Sequence, residues 1–136
     1  MDLDEARQII RSRHRAVLAA MRSDGTPQMS PVLTAVDDQG VVLLSTRETA
    51  YKVRLIRNDP RVWICVLPDE FFGRWIQVEG TAEIVSLPEA MDGLVEYYRL
   101  AAGEHPDWDE YRAAMESEQR VLLRVELHRA GPDRSG

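Results

Sequence analysis

A single cysteine, Cys65, leaves no room for a disulfide framework or a thiolate metal cluster. No apolar run reaches the length of a membrane span, and the N-terminus lacks a secretory signal pattern. A dominant basic face is missing too. The 17 Lys and Arg residues against 23 Asp and Glu leave a formal charge of −6, which argues against a nucleic-acid partner. GxGxxG, Walker, HExxH and GxSxG signatures are all absent. His14, His105 and His128 have no ligand-like spacing, and the acidic run EHPDWDE lacks that of a calcium loop, so no metal site is expected. These absences describe a soluble, cytoplasmic chain without membrane or nucleic-acid partners. Having no evident nucleophile, acid–base pair or metal, it would be an enzyme only with chemistry supplied by a cofactor.

What is present is a core. With 136 residues and 44% apolar composition, residues 1–136 form one domain. Asp2 to Ser12 reads as a helix, with acids in its first turn and basics in its last. His14 to Met21 is a compact apolar run closed by the turn signal SDGTP. Pro27 to Val36 alternates, with Gln28, Ser30, Val32 and Thr34 on one face, and Pro31 marks an edge or bend. DDQG turns the chain into a strand beginning at Val41. Cys65, mid-strand among Trp63, Ile64 and Val66, reads as core packing. Arg74 to Ser86 is a long strand with Gly80 at a bulge or barrel corner. Pro88 opens a helix ending at Gly103, and Tyr97 and Tyr98 read as its packing residues. A second helix follows Pro106, with Trp108 and Tyr111 packing it onto the barrel. Gln119 to His128 alternates as a closing strand, and the tail AGPDRSG reads as frayed. Hairpin spacing with a glycine kink suggests a small barrel rather than a flat sheet.

The stretch VVLLSTRETAYKVRLIRNDPRVWICV, Val41 to Val66, organises the rest. A buried strand ends in Ser45 and Thr46, and a short basic helix from Thr49 to Asn58 carries Lys52 about one turn in. Free N–H groups and the dipole at such a helix start favour an anion. Residues 47 to 61 carry Arg47, Lys52, Arg54, Arg57 and Arg61 against two acids, a local excess in an acidic protein. The same residues also suit a surface helix with solvated charges.

The order TPQMSPV, then VVLLSTRETAYKVRLIRNDPRVWICV, then IQVEGTAEIV resembles the pyridoxamine-phosphate-oxidase-like split-barrel flavoproteins. The run YYRLAAGEHPDWDEYRAAM followed by RVLLRVEL is similar to their deazaflavin-dependent branch, which uses coenzyme F-420. The resemblance implies a mainly β, α+β fold: a six-stranded antiparallel split β-barrel with flanking helices. It also implies a homodimer with cofactor sites at the subunit interface. On the matching positions, Lys52 would bind the cofactor phosphate, with Ser45, Thr46 and Thr49 beside it. Gln28 and Ser30 would run under the ring, while Trp75 and Gln77 would reach the other subunit's cofactor. Arg54, Arg57 or Arg61 would meet the polyglutamyl tail. Related proteins carry an arginine just before the lysine where this chain has Ala50 and Tyr51, so Arg47 or Arg54 would substitute or phosphate affinity would be weaker. The implied activity is hydride transfer between reduced F-420 and a small organic substrate, with no general acid assigned. The alternatives are an FMN-binding protein of the same fold and a carrier without turnover.

Overall fold

The computed structural model describes residues 1–136. Its elements are α1 (Leu3–Ser12), β1 (Arg15–Met21), β2 (Pro27–Leu33), β3 (Ala35–Val36), β4 (Val42–Arg47) and α2 (Tyr51–Asn58), then β5 (Arg61–Val66), β6 (Arg74–Val85), α3 (Met91–Ala102), α4 (Trp108–Ser117) and β7 (Arg120–Ser135). All the strands join one antiparallel sheet in the order β2-β1-β5-β6-β7-β4-β3, curled into a split barrel. The sheet has seven strands rather than six because Pro27–Val36 breaks at Thr34 and lends its halves to opposite edges. Thr34 is clamped there: its N–H donates to the His14 carbonyl at 2.7 Å, and its own carbonyl meets His14 Nδ1 at 2.7 Å. Pro31 accordingly lies on an edge strand, where proline disrupts least.

Strand alternation fills the barrel. Leu18, Ile64 and Val78 share one inward row, and Ala16, Val66 and Ile76 another, all at most 2% exposed. Helix α1 adds Ala6 and Ile10 to the same core. Gly80 sits at a register shift between β6 and β7, where a Cβ would collide with the Glu126 carbonyl; the corner requires glycine. A second cluster forms outside the barrel, where Leu43 and Leu122 meet Leu94, Val95, Tyr111 and Met115 from α3 and α4. Gly93 permits this contact, since a Cβ there would strike Leu122.

Several sequence expectations need correction. Cys65 points outward and is half-exposed, because β5 sends Val62, Ile64 and Val66 inward and alternation leaves Trp63 and Cys65 on the other face. The tail does not fray: β7 continues to Ser135 and pairs with the start of β6, which would otherwise lack a partner along that edge. Arg74 grips Asp133 through two bonds of 2.8 Å and Glu5 at 2.9 Å, tying tail, strand and first helix together. Helix α3 begins at Met91, with Pro88 in the preceding turn, and α2 begins at Tyr51 rather than Thr49. Tyr111 packs α4 onto the barrel as expected, in one cluster with Leu43 and Leu122, while Trp108 sits at the margin of that cluster against α3. Tyr111 donates its hydroxyl to the Leu94 carbonyl at 2.7 Å, and Trp108 meets Tyr98 edge-on at 5.8 Å between centroids.

Candidate functional site

The split between β2 and β4 opens into a groove of about 720 Å³. Pro31, Val32 and Leu33 form one wall, and Tyr97, Tyr98, Tyr111 and Met115 of the α3–α4 pair form the other. One end is polar, built from Ser45 and Thr46 where β4 stops, Lys52 in the first turn of α2, and Arg120 at the start of β7; Arg15, at the start of β1, also lines the groove. Tyr97 spans the split by donating its hydroxyl to the Leu33 carbonyl at 2.9 Å. An apolar slot with cations at one end suits a ligand with a flat ring and an anionic substituent.

The charges at that end are unevenly matched. Antiparallel pairing sets Arg47 opposite Arg120, two like charges in register. One carboxylate, Glu118, serves both, accepting from Arg120 at 2.8 and 3.1 Å and from Arg47 at 3.5 Å. The bonded Arg120 guanidinium holds the Glu118 carboxyl below its ordinary range. Lys52 is half-buried and has neither a salt bridge nor a hydrogen bond. Burial lowers its pKa from the usual 10.5, and the nearby Arg120 charge lowers it further. It is the only lysine among the chain's 17 basic residues. Two phenols of the wall stay protonated: burial raises the pKa of the Tyr97 hydroxyl and pushes Tyr111 up to about 12.

On the barrel face of β2, Gln28 Oε1 and Ser30 Oγ are buried without a hydrogen-bond partner. They share that face with Val32 of the groove wall, two and four residues along the strand. An unmatched buried polar atom costs about 1–3 kcal/mol. A ligand edge carrying N–H and C=O groups would relieve both.

Of the sequence-chosen residues, the fold gathers Ser45, Thr46 and Lys52 in the groove and sets Gln28 and Ser30 on its flanking strand. Others stand apart. Thr49 is exposed in the turn before α2, Arg54 lines a separate hollow with Arg22, Asp24 and Tyr51, and Arg57 is paired with Glu48. Trp75 and Gln77 occupy the outward face of β6. Trp75 joins Cys65, Phe71 and Phe72 around a second cavity of about 520 Å³, which shares Arg15 and Leu67 with the groove. Phe71 and Phe72 are 87% and 74% exposed, so this face carries a large uncovered apolar surface. Sequence reading missed Arg120, whose place depends on the β4–β7 register. It also read Tyr97 as helix packing although the hydroxyl crosses the split.

A family model described as pyridoxamine 5′-phosphate oxidase matches residues 3–131. Among solved structures, the conserved hypothetical protein Rv2991 from Mycobacterium tuberculosis superposes with a TM-score of 0.78 at 28% identity, over 99% of this chain and 85% of its own. An F-420 reductase superposes at 0.68 with 24% identity, over 91% and 94%. The heme storage protein HutZ from Vibrio cholerae reaches 0.69 with 17% identity, over 100% and 98%. These last two likenesses extend to the fold alone.

Proposed function

The chain belongs to the pyridoxamine 5′-phosphate oxidase family, and from that premise we propose that it is a cytoplasmic oxidoreductase that binds coenzyme F-420 in the groove between β2 and β4. The observation that carries this reading is the pairing of an apolar slot and two orphaned polar atoms with a cationic end built around Lys52. The sequence run AGEHPDWDEYR favours the deazaflavin over FMN, and the fold, which an F-420 reductase shares, is compatible with it.

Within this reading Lys52, Ser45 and Thr46 hold the phosphate, and Gln28 and Ser30 meet the polar edge of the ring. When bound, the deazaflavin supplies or accepts a hydride. Pro31, Val32 and Leu33 exclude water and press a small electron-poor substrate toward the ring face. The Tyr97 and Tyr111 hydroxyls stay protonated across the physiological range, and no side chain is assigned as proton donor, so water serves.

The working form is a homodimer. Met29 and Leu33 extend the exposed apolar face that holds Phe71, Phe72 and Trp75, and a second copy laid on it would bring Trp75 and Gln77 to the partner's groove. Such an interface would bury upwards of roughly 2,000 Å². Incubating the purified protein with each cofactor, desalting it and recording its spectrum tests the reading. Retained absorbance near 420 nm supports it; retention of FMN alone, near 450 nm, moves the protein to the flavin alternative. Retained deazaflavin with no turnover of any electron-poor acceptor leaves a carrier.

A further inference from the structure

We propose that Arg120, at the first position of β7, is the second cation of the phosphate seat and works with Lys52 in place of the arginine missing at Ala50 and Tyr51. This rests on the reading that the groove holds a phosphate-bearing cofactor. The two residues closest in sequence to the missing position are both directed elsewhere. Arg54 is exposed and lines the hollow beside Arg22 and Asp24, away from the groove. Arg47 leaves β4 as an exposed side chain and is absent from the groove lining. Arg120 does line it, with Lys52, Ser45 and Thr46, and its side chain is only 27% exposed.

Two further observations agree. The field of Arg120 reaches Lys52, Tyr97 and Tyr111, residues of three different elements that bound the groove. Its guanidinium is also held in place, with Nε and Nη2 both bonded to one Glu118 oxygen, leaving other N–H donors for a second acceptor. Arg47 and Arg120 thus share a single carboxylate while Lys52 has none, and a phosphate oxyanion supplies the missing negative charge. An arginine fork and a compact ammonium then divide its oxygens between them.

The sole lysine makes the test clean. Reductive methylation with ¹³C-formaldehyde marks only Lys52 and the N-terminal amine, so one side-chain resonance reports its titration. Arg120→Gln should raise the pKa of that resonance, and in unmethylated protein it should weaken F-420 and FMN binding by about tenfold or more. Arg120→Lys should restore part of the affinity. Arg47→Ala and Arg54→Ala should each change affinity less than twofold, and all four variants should keep the parent's circular dichroism. An unmoved Lys52 titration with unmoved binding in Arg120→Gln overturns the proposal, as does a tenfold loss confined to Arg47→Ala or Arg54→Ala. Should the parent bind neither cofactor, the functional reading fails and inorganic phosphate becomes the probe. A phosphate-induced shift of the Lys52 resonance that disappears in Arg120→Gln still supports the two-cation seat. A shift indifferent to Arg120, or no shift, overturns it.

Discussion

The arginines on and beside α2 and the cations at the end of the groove carry the same charge in opposite situations. Arg57 and Arg61 lie in solvent, each beside its own carboxylate, Glu48 and Asp59. Exposed pairs of this kind contribute about 0–1 kcal/mol and offer a passing anion little. Lys52 and Arg120 are partly desolvated; Arg120 shares the Glu118 carboxylate with Arg47, and Lys52 has none. Counting basic residues along 47–61 finds the first group; burial and pairing pick out the second. A local excess of positive charge marks an anion site only where the charges are held out of water with too few partners.

The largest expected effect is at Lys52. Lys52→Ala should weaken cofactor binding about ten- to a hundredfold, the worth of a charge-assisted hydrogen bond, by fluorescence titration. Its thermal midpoint should hold or rise slightly, since a half-buried ammonium without a partner is no gain to the empty fold. A collapse of stability in that variant would move Lys52 from the site to the scaffold.

The same contrast has a pH signature. Only the protonated amine attracts an anion, and burial lowers its pKa from 10.5, so affinity should begin to fall at a lower pH than an ordinary surface lysine would impose. The sign for folding is opposite. The unfolded chain holds the Lys52 proton more tightly, so this group's cost to the fold is present below the folded pKa and is relieved as pH rises through it. Binding measured from pH 7 to 10 should decline in the parent and stay flatter in Lys52→Arg; parallel profiles would place the titrating group elsewhere.

Ser30→Ala separates a ligand-facing atom from a packing atom. Removing an unpartnered buried hydroxyl should leave the empty protein as stable or about 1 kcal/mol more so, while cofactor affinity drops severalfold. A less stable empty protein with unchanged affinity would assign the hydroxyl to the fold. At the bottom of the scale, Arg57→Ala should alter affinity less than twofold and stability by under about 0.5 kcal/mol, despite its ion pair with Glu48. A loss comparable to that of Lys52→Ala would erase the distinction between the two sets of cations.

Local chemistry explains what could be read from the chain. The turns SDGTP and DDQG, the corner at Gly80, the helix end at Gly103 and the strand–helix step that presents Lys52 each depend on near neighbours. The residues misjudged are those whose places are set by distant ones. Arg120 reaches the groove through its pairing opposite Arg47, and the polar tail becomes strand because β6 offers it an edge. Cys65 sits in an apolar run, but alternation decides its face. Arg54 and Arg57 share the basic segment with Lys52, yet the helix turns them away from the groove, and Arg57 meets Glu48 nine residues earlier.

Chemical protection of the sole lysine tests most directly whether the cofactor's phosphate sits at this end of the groove. Acylating the amines and reading the intact and digested masses gives two adducts, Lys52 and the N-terminus, the second an internal reference. With saturating F-420 the Lys52 adduct should fall severalfold while the N-terminal adduct stays constant. Equal labelling of Lys52 with and without a cofactor that is demonstrably bound would contradict a phosphate seat at Lys52.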